Sequence, residues 1–544
     1  MPPSIAVIQN ADQVEPSVHD DAGVYLDFIG TSETSDHPLA VGVWDIYDFE
    51  EPTPSGIAET TECKYIVRGE AVVKNEWTGE THDLKPGSLL WIPAGAKMSL
   101  VRSNNCRAIY AEVRQVSNTT DTNDGRAVTL QSHLDRLIGA FVARNPLSKK
   151  AIERARVGIP SGTTRSVSVL DSDPFPLVVK SGAGATLTTV DGETLIEFQS
   201  DFTAGLFGHS SPELRDSIIA AAENGFSLGA VTELESELSE AIRRRFPSIE
   251  KVRFCNSGTE ANMYAIGAAL AYTGKRKVLV FDHGYHGGTL SFGDGPNPLN
   301  IPHDFVVGTY DSIEKTRTVL SGDIGVILVE PMQSAGGMRA ASREFLAFLR
   351  STADTLGAVL IFDEVVTSRL DYHGMQGQLG VKPDMTTLGK YLGGGLPFGA
   401  FGGTTAVMAQ FDGGSGNAAK LSHSGTFNNN VFTMSAAVAA AKLVTAPAID
   451  RINRLGDRIR EGVAAAVKAC DKPVGIIPLG VGSCVGLYFT GSEGDTLREI
   501  MFFEMLQQGL WVGRRGFLAL NFAHTEEDVD MFLRVFVKFL DLYI

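Results

Sequence analysis

Lys390 lies in the stretch Lys382-Pro-Asp-Met-Thr-Thr-Leu-Gly-Lys390-Tyr-Leu-Gly-Gly-Gly-Leu-Pro-Phe-Gly-Ala-Phe-Gly-Gly403, between Gly389 and a glycine-rich run. Glycines let the backbone come close to a bound group, and partial burial lowers an ammonium pKa towards a reactive amine. A Gly-Lys pair alone is ordinary surface chemistry beside a flexible loop. Its meaning changes with Val359-Leu-Ile-Phe-Asp363-Glu-Val-Val, whose acid stands twenty-seven residues upstream at the end of an apolar run. A strand-end acid followed by a glycine-flanked lysine meets the needs of a pyridoxal-phosphate site. The acid holds a pyridine nitrogen protonated, and the lysine carries the aldehyde as a Schiff base.

The elements that would position these two residues read as alternating helix and strand from about residue 205. Ser211 to Ala222 and Thr232 to Phe246 have helical patterning, and Lys251-Val-Arg-Phe-Cys is a strand. That strand leads into Asn256-Ser-Gly-Thr-Glu-Ala-Asn, a glycine turn opening a helix. Free N–H groups and the positive end of a helix dipole meet there, which suits a phosphate, although a plain N-cap turn looks the same. Lys277-Val-Leu-Val-Phe-Asp, Ile324-Gly-Val-Ile-Leu-Val-Glu330, the helix Ser342 to Leu356 and the Asp363 strand continue the pattern. The expectation is an α/β fold with a mostly parallel sheet and ligands at its carboxyl edge.

The chain has 544 residues, enough for three or four domains. A net charge of −17 argues against nucleic acid as a partner. No apolar run approaches the roughly 20 residues that cross a membrane, and the N-terminus lacks the pattern of a signal peptide. Five scattered cysteines fit a reduced, cytoplasmic protein better than a disulfide frame.

Before the α/β region, residues 21–115 read as short β-rich runs separated by turn signals, an all-β barrel or jelly roll. Tyr65-Ile-Val-Arg-Gly-Glu-Ala-Val-Val through Leu84-Lys-Pro-Gly-Ser-Leu-Leu-Trp-Ile-Pro-Ala-Gly resembles the cupin family. Many cupins hold a metal on histidines, but here Glu59, Glu62 and Cys63 stand in the first motif and Met98 in the second, with His82 between them. Imidazole is the usual anchor for a transition metal, so this region is expected to be metal-free. Residues 116–150 would be a polar linker and a helix, the helical pattern running from Gln131 to Ala155.

From about residue 150 to 544 the chain resembles the class III pyridoxal-phosphate aminotransferases, in the branch of glutamate-1-semialdehyde aminomutase and β-phenylalanine aminotransferase. The resemblance rests on Asn256-Ser-Gly-Thr-Glu-Ala, Tyr285-His-Gly, Val329-Glu-Pro, Phe362-Asp-Glu-Val, Thr387-Leu-Gly-Lys and Gly425-Thr-Phe-Asn-Asn-Asn, in that order. It implies the fold type I architecture, with a large domain over about residues 205–430 and a small α+β domain from about 151–204 and 431–544, Lys390 as Schiff-base lysine and Asp363 on the pyridinium nitrogen. It also implies Val365 on one ring face, Tyr285 or His286 on the other, and Gly258 and Thr259 at the phosphate. Thr426 would reach the phosphate of a neighbouring subunit, which implies a homodimer with shared sites.

Two departures qualify the resemblance. Ornithine- and γ-aminobutyrate-type members carry Gln-Gly-Glu where this chain has Gln333-Ser-Ala-Gly, so a glutamate that masks an arginine in those enzymes is missing. Thr367-Ser-Arg-Leu places its arginine one position earlier than the common Thr-Gly-Phe-Arg. Conversely, Ser161-Gly-Thr-Thr-Arg165-Ser-Val followed by Asp173-Pro-Phe-Pro-Leu is similar to the β-amino-acid enzymes, in which an arginine grips the substrate carboxylate. Arg514 and Arg515 are further candidates, with a surface salt bridge as the plain alternative. The leading expectation is an aminotransferase acting on a carboxylated amine, such as a β-amino acid, with a 2-oxo acid as partner. An intramolecular aminomutase and a metal-dependent cupin oxygenase are the other two readings.

Overall fold

The computed structural model describes residues 18–19, 23–30, 39–48, 56–57, 61–76, 78–93, 96–113, 130–165, 174–293, 295, 297–413, 421–470 and 475–544. The chain divides into two compact units, Met1–Ala127 and Val128–Ile544.

The first unit holds an eight-stranded sheet in which every pairing is antiparallel. Its longest strands, Thr61–Asn75 and Lys97–Val113, run side by side. Ile66, Ala71, Val73, Leu84, Leu100 and Ala108 form its core. Fully buried Arg107 is held by a two-pronged contact to Asp45, the geometry a guanidinium needs once it leaves water. Glu62 pairs with Lys64 at 2.9 Å, and His82 lies across from Val73. Among the described residues no group of three or more His, Cys, Asp or Glu could hold a metal ion; Glu59 lies outside them.

The second unit is built on a seven-stranded sheet. From one edge its order is Lys251–Cys255, Gly399–Gly403, Met385–Gly389, Val359–Asp363, Ile324–Val329, Lys277–Phe281 and Asp304–Gly308. Only Gly399–Gly403 runs against the rest. Ile324–Val329 and Val359–Asp363 are buried along their whole length, because both faces of a parallel sheet are covered by crossover helices. Val326 and Leu328 face the helix Gly258–Thr273, whereas Ile327 and Val329 face Arg343–Leu356. Strand period two sends alternate residues to the two layers.

A further core gathers the helices Ala446–Ala469, Gly494–Gln507 and Glu526–Tyr543 against the strands Ile476–Val481, Cys484–Phe489 and Phe517–Ala519. The helical run expected over 131–155 is two helices, Leu130–Arg144 and Pro146–Arg156, broken where Pro146 cannot continue the first. The Asp191 carboxylate accepts from the Leu147 and Ser148 amides at 2.7 and 3.0 Å and so satisfies the start of the second helix. Leu134, Leu137 and Phe141 are buried in the same core, so the first helix packs within the second unit.

A chain beginning at Val128 should therefore unfold with the same urea midpoint as the second unit of the full chain. One beginning at Pro146 loses three buried apolar side chains and should be less stable by about 5 kcal/mol. Equal midpoints for the two truncations would remove this helix from the folding unit.

Candidate active site

The carboxyl ends of the parallel strands converge on Lys390. It follows the Met385–Gly389 strand and takes a left-handed backbone, φ 54°, unusual for a side-chain-bearing residue. Its Nζ donates to the Phe202 carbonyl at 2.8 Å. Burial pushes the ammonium pKa down, opposed by the charges of Asp201 and Asp363 and aided by Arg165. The amine is thereby biased towards the neutral, nucleophilic form.

Phe202 belongs to a turn with an uncommon backbone. Ser200, Asp201, Phe202 and Thr203 all have positive φ, and none is glycine. Each such residue costs about 1–2 kcal/mol, so the surroundings must hold the turn in place. Ser200 Oγ donates to the Ala519 carbonyl at 2.6 Å and accepts from Asn521 Nδ2 at 3.2 Å. At the other end, the buried Arg369 guanidinium donates to the Thr203 carbonyl at 3.1 Å and to the Leu520 carbonyl. Arg369, the displaced arginine of the Thr-Ser-Arg-Leu motif, thus serves as a backbone clamp.

Asp363, 4% exposed, ends the Val359–Asp363 strand. Its Oδ2 accepts from Asn262 Nδ2 and from His286 Nδ1, both at 2.8 Å, and its Oδ1 from the Val365 amide at 3.1 Å. Thr387 Oγ1 donates to Asn262 Oδ1 at 2.8 Å, which fixes the amide orientation. Burial pulls the His286 pKa down, but the Asp363 hydrogen bond and the Asp363 and Glu330 charges outweigh it and hold it above the ordinary value. Glu330 accepts from the Tyr285 and Ser334 amides at 2.9 and 3.3 Å. Its pKa is raised to about 7 by burial, against the lowering influence of His286. The adjacent Glu364 points elsewhere: it accepts from the Met375 and Gln376 amides, both at 2.9 Å, and so caps the helix Met375–Leu379.

Ser257 caps the helix Gly258–Thr273 by accepting from the Glu260 amide, leaving the first amides, of Gly258 and Thr259, pointing out of the helix end. The surroundings permit no side chain here. A Cβ on Gly258 would stand 2.9 Å from Val365 Cγ2, one on Gly399 2.1 Å from the Ser257 carbonyl, and one on Gly287 2.2 Å from Thr259 Oγ1. A cleft of about 850 Å³ includes Asn256, Ser257, Gly258, Lys390, Asp201, Gly205 and His209 in its lining. A helix N-terminus for phosphate, a lysine amine and a buried carboxylate with an oxygen still able to accept fit pyridoxal phosphate.

The structure thus brings Lys390, Asp363, Gly258, Thr259 and Val365 into one region and separates Tyr285 from His286. Tyr285 is half-exposed, so it remains the candidate for a ring face, while His286 is buried behind against Asp363. Thr426 is exposed and does not line the cleft of its own chain. Arg165 Nη1 reaches Asp201 Oδ1 at 2.8 Å, with its guanidinium 5.5 Å from the Phe202 ring. Arg514 is tied to Glu499. Arg515 lies over the Phe517 ring at 5.9 Å and lines a different cleft, with Arg498 and Asp495. Gln333 Nε2 donates to the Asp282 carbonyl at 2.6 Å. Sequence reasoning missed Asn262, Glu330, Thr387, Asp201 and Phe202 as site residues. Asn262 had a usable signal, an amide one helical turn after Gly258 in an alanine-rich helix.

The Glu330 pKa carries a stability consequence. A carboxyl raised from 4.5 to about 7 by folding contributes stability fully present below pH 4.5 and lost as pH rises through 7. That gap bounds the contribution at roughly 3 kcal/mol. Urea unfolding of wild type and Glu330→Gln across this window should show the wild type losing stability relative to the variant as pH rises. Parallel curves would mean that Glu330 is ionised throughout.

The family model "Aminotransferase class-III" matches residues 167–293 and 303–540. The chain is 41% identical over 416 residues to the β-phenylalanine transaminase of Variovorax paradoxus, covering 74% of this chain and 94% of that protein. It is 33% identical over 414 residues to a glutamate-1-semialdehyde 2,1-aminomutase of Bacillus pumilus, covering 70% of this chain and 95% of that protein. The crystal structure of the Variovorax paradoxus β-phenylalanine aminotransferase superposes with a TM-score of 0.72 at 40% identity, covering 76% of this chain and 98% of that one. The strand order, the strand-end aspartate, the lysine and the glycine-opened helix find their common explanation here: this chain belongs to the class III aminotransferases, transaminases of fold type I that use pyridoxal phosphate.

Proposed function

We propose that this transaminase takes a β-amino acid and passes its amino group to a 2-oxo acid. The observation that carries the reading is Arg165. Its guanidinium stands beside the turn whose Phe202 carbonyl receives the Lys390 amine, and its charge acts on that amine. A carboxylate one carbon further from the amine than in an α-amino acid would meet this guanidinium in a charge-assisted, two-pronged contact. The activity of the Variovorax paradoxus relative supports the same substrate class.

Pyridoxal phosphate, when bound, supplies an electron sink for the carbon that carries the amine. Gly258 and Thr259 would receive its phosphate on their amides, and Asp363 would hold a proton on its ring nitrogen. Val365, packed against Gly258, and half-exposed Tyr285 would flank the ring. Lys390, with its pKa lowered by burial, would take the proton from the substrate carbon and return it. Arg165 holds the substrate by its carboxylate so that this carbon faces the amine. Arg515, on the Phe517 ring 6.0 Å from Phe202, is the second candidate for a substrate carboxylate.

A homodimer with shared sites completes this reading. Thr426 is exposed beside Phe427, and Phe226, Leu228 and Val231 add exposed apolar surface within the same unit. Thr426 would then reach the phosphate bound by the partner. The free cysteines favour the cytoplasm, and among the described residues no single helix is long and apolar enough to cross a membrane. The antiparallel first unit is read as a cupin-like, metal-free appendage. An aminomutase reading has the Bacillus pumilus relative in its favour, at lower identity. Turnover that depends on an added 2-oxo acid separates the two, because an intramolecular transfer needs none.

Arg165→Ala should lower kcat/KM for 3-amino-3-phenylpropanoate by about 10- to 150-fold while leaving 1-phenylethylamine nearly unchanged. Arg165→Lys should recover only part of the loss. Equal losses on both amines would assign Arg165 to structure and move the carboxylate site to Arg515.

A further inference from the structure

Arg165 is not waiting as a bare cation. Its Nη1 donates to Asp201 Oδ1 at 2.8 Å. The two side chains are 56% and 52% exposed, so the pair sits in water at the edge of the site. Asp201 lines the cleft together with Lys390, and it is the carboxylate that most raises the pKa of that lysine.

The backbone of Asp201 has little freedom to leave. It is the second residue of the left-handed turn Ser200–Thr203, clamped at Ser200 by Ala519 and Asn521 and at Thr203 by Arg369. A strained turn that presents a carboxylate to one cation and, from the next residue, a carbonyl to the catalytic lysine is a built feature. The side chain alone can turn away.

We infer that Asp201 is a specificity-determining residue that occupies the Arg165 guanidinium whenever the bound substrate brings no carboxylate to it, and yields to a substrate carboxylate that does. The inference rests on the substrate reading above. A transaminase must admit two different substrates in turn at one site. When a bound substrate covers Arg165 and displaces its water, a guanidinium left unpaired penalises whichever substrate carries no carboxylate there, because its donors lose water without gaining acceptors. An exposed ion pair is weak enough to be exchanged for a better one. A two-pronged substrate carboxylate gives a stronger contact than the single Nη1–Oδ1 bond seen here.

The pair has a further consequence for which substrate binds well. With Asp201 in place, a carboxylated ligand must displace it, so Asp201 reduces affinity for that ligand. For an amine lacking the carboxylate, Asp201 neutralises the charge that its apolar end would face. Removing the carboxylate should therefore move the two ligands in opposite directions. A purely structural role for Asp201 would move both the same way.

The test uses the pyridoxal-phosphate-loaded enzyme and four forms: wild type, Asp201→Asn, Arg165→Ala and the double variant. Asparagine is chosen because it removes the charge, keeps the side-chain shape and tolerates the left-handed backbone of this turn. The binding probe is 3-phenylpropanoate, a carboxylate without an amine, titrated by calorimetry. The kinetic readout is the ratio of kcat/KM for 3-amino-3-phenylpropanoate to that for 1-phenylethylamine.

Asp201→Asn should tighten 3-phenylpropanoate by about two- to fivefold and raise the kinetic ratio by at least as much. Asp201→Asn should have no effect on probe binding when Arg165 is already alanine. Weaker or unchanged probe binding in Asp201→Asn overturns the inference, as does the same change in both Arg165 backgrounds. If Arg165→Ala leaves probe binding untouched, the substrate reading itself fails, and the masking role falls with it.

Discussion

A carboxylate buried at the end of a central strand is the constraint on which the rest of the site depends. Ionised Asp363 in a dry interior would be very costly without donors. The structure supplies three, the Asn262 amide, the His286 imidazole and the Val365 backbone. Each one imposes a requirement elsewhere. Asn262 reaches Asp363 only because the helix Gly258–Thr273 lies close over the sheet. That closeness depends on Gly258 having no side chain to collide with Val365. Thr387, on the neighbouring strand, turns the Asn262 amide so that its nitrogen faces the carboxylate. The same close approach leaves the helix N-terminus beside Lys390, so one packing arrangement serves both the acid and the phosphate end.

The ionisable groups packed around Asp363 respond to the same burial. The Asp363 hydrogen bond and the Asp363 and Glu330 charges hold the His286 pKa above its ordinary value against burial, and burial raises Glu330 to about 7. Glu364, the next residue along the chain, faces away and spends its acceptors on the Met375–Leu379 helix. Asp363, which ends the strand, and Glu364, which follows it, thus serve the site and the architecture separately.

The placement of Lys390 and Asp363 at the carboxyl edge of the sheet was legible from residue type and position: an acid ending an apolar strand, and a lysine set among glycines. The parallel sheet was legible for a related reason, since strands buried on both faces read as continuous apolar runs. The arginine at 165 could be singled out, but its partner could not. Asp201 and Phe202 owe their roles to four successive left-handed residues without a glycine among them, a conformation that no local propensity favours. Arg369 reads only as an arginine one place early in a motif and proves to be a buried backbone clamp, a role hidden because its partners lie on segments more than 150 residues away in the chain. The helix Leu130–Arg144 was visible as a helix, yet its place was not. Its apolar face is covered by C-terminal helices that only the folded chain brings near.

The central claim is that Asp363 exists to keep a proton on the ring nitrogen of the bound cofactor. It is tested most directly by loading the enzyme with pyridoxal phosphate labelled with nitrogen-15 and recording the ring-nitrogen chemical shift at neutral pH. The account predicts a protonated nitrogen in the wild type and an unprotonated one in Asp363→Asn, whose amide cannot stabilise the pyridinium charge. An unprotonated ring nitrogen in the wild type, or the same protonated signal in both proteins, would contradict it.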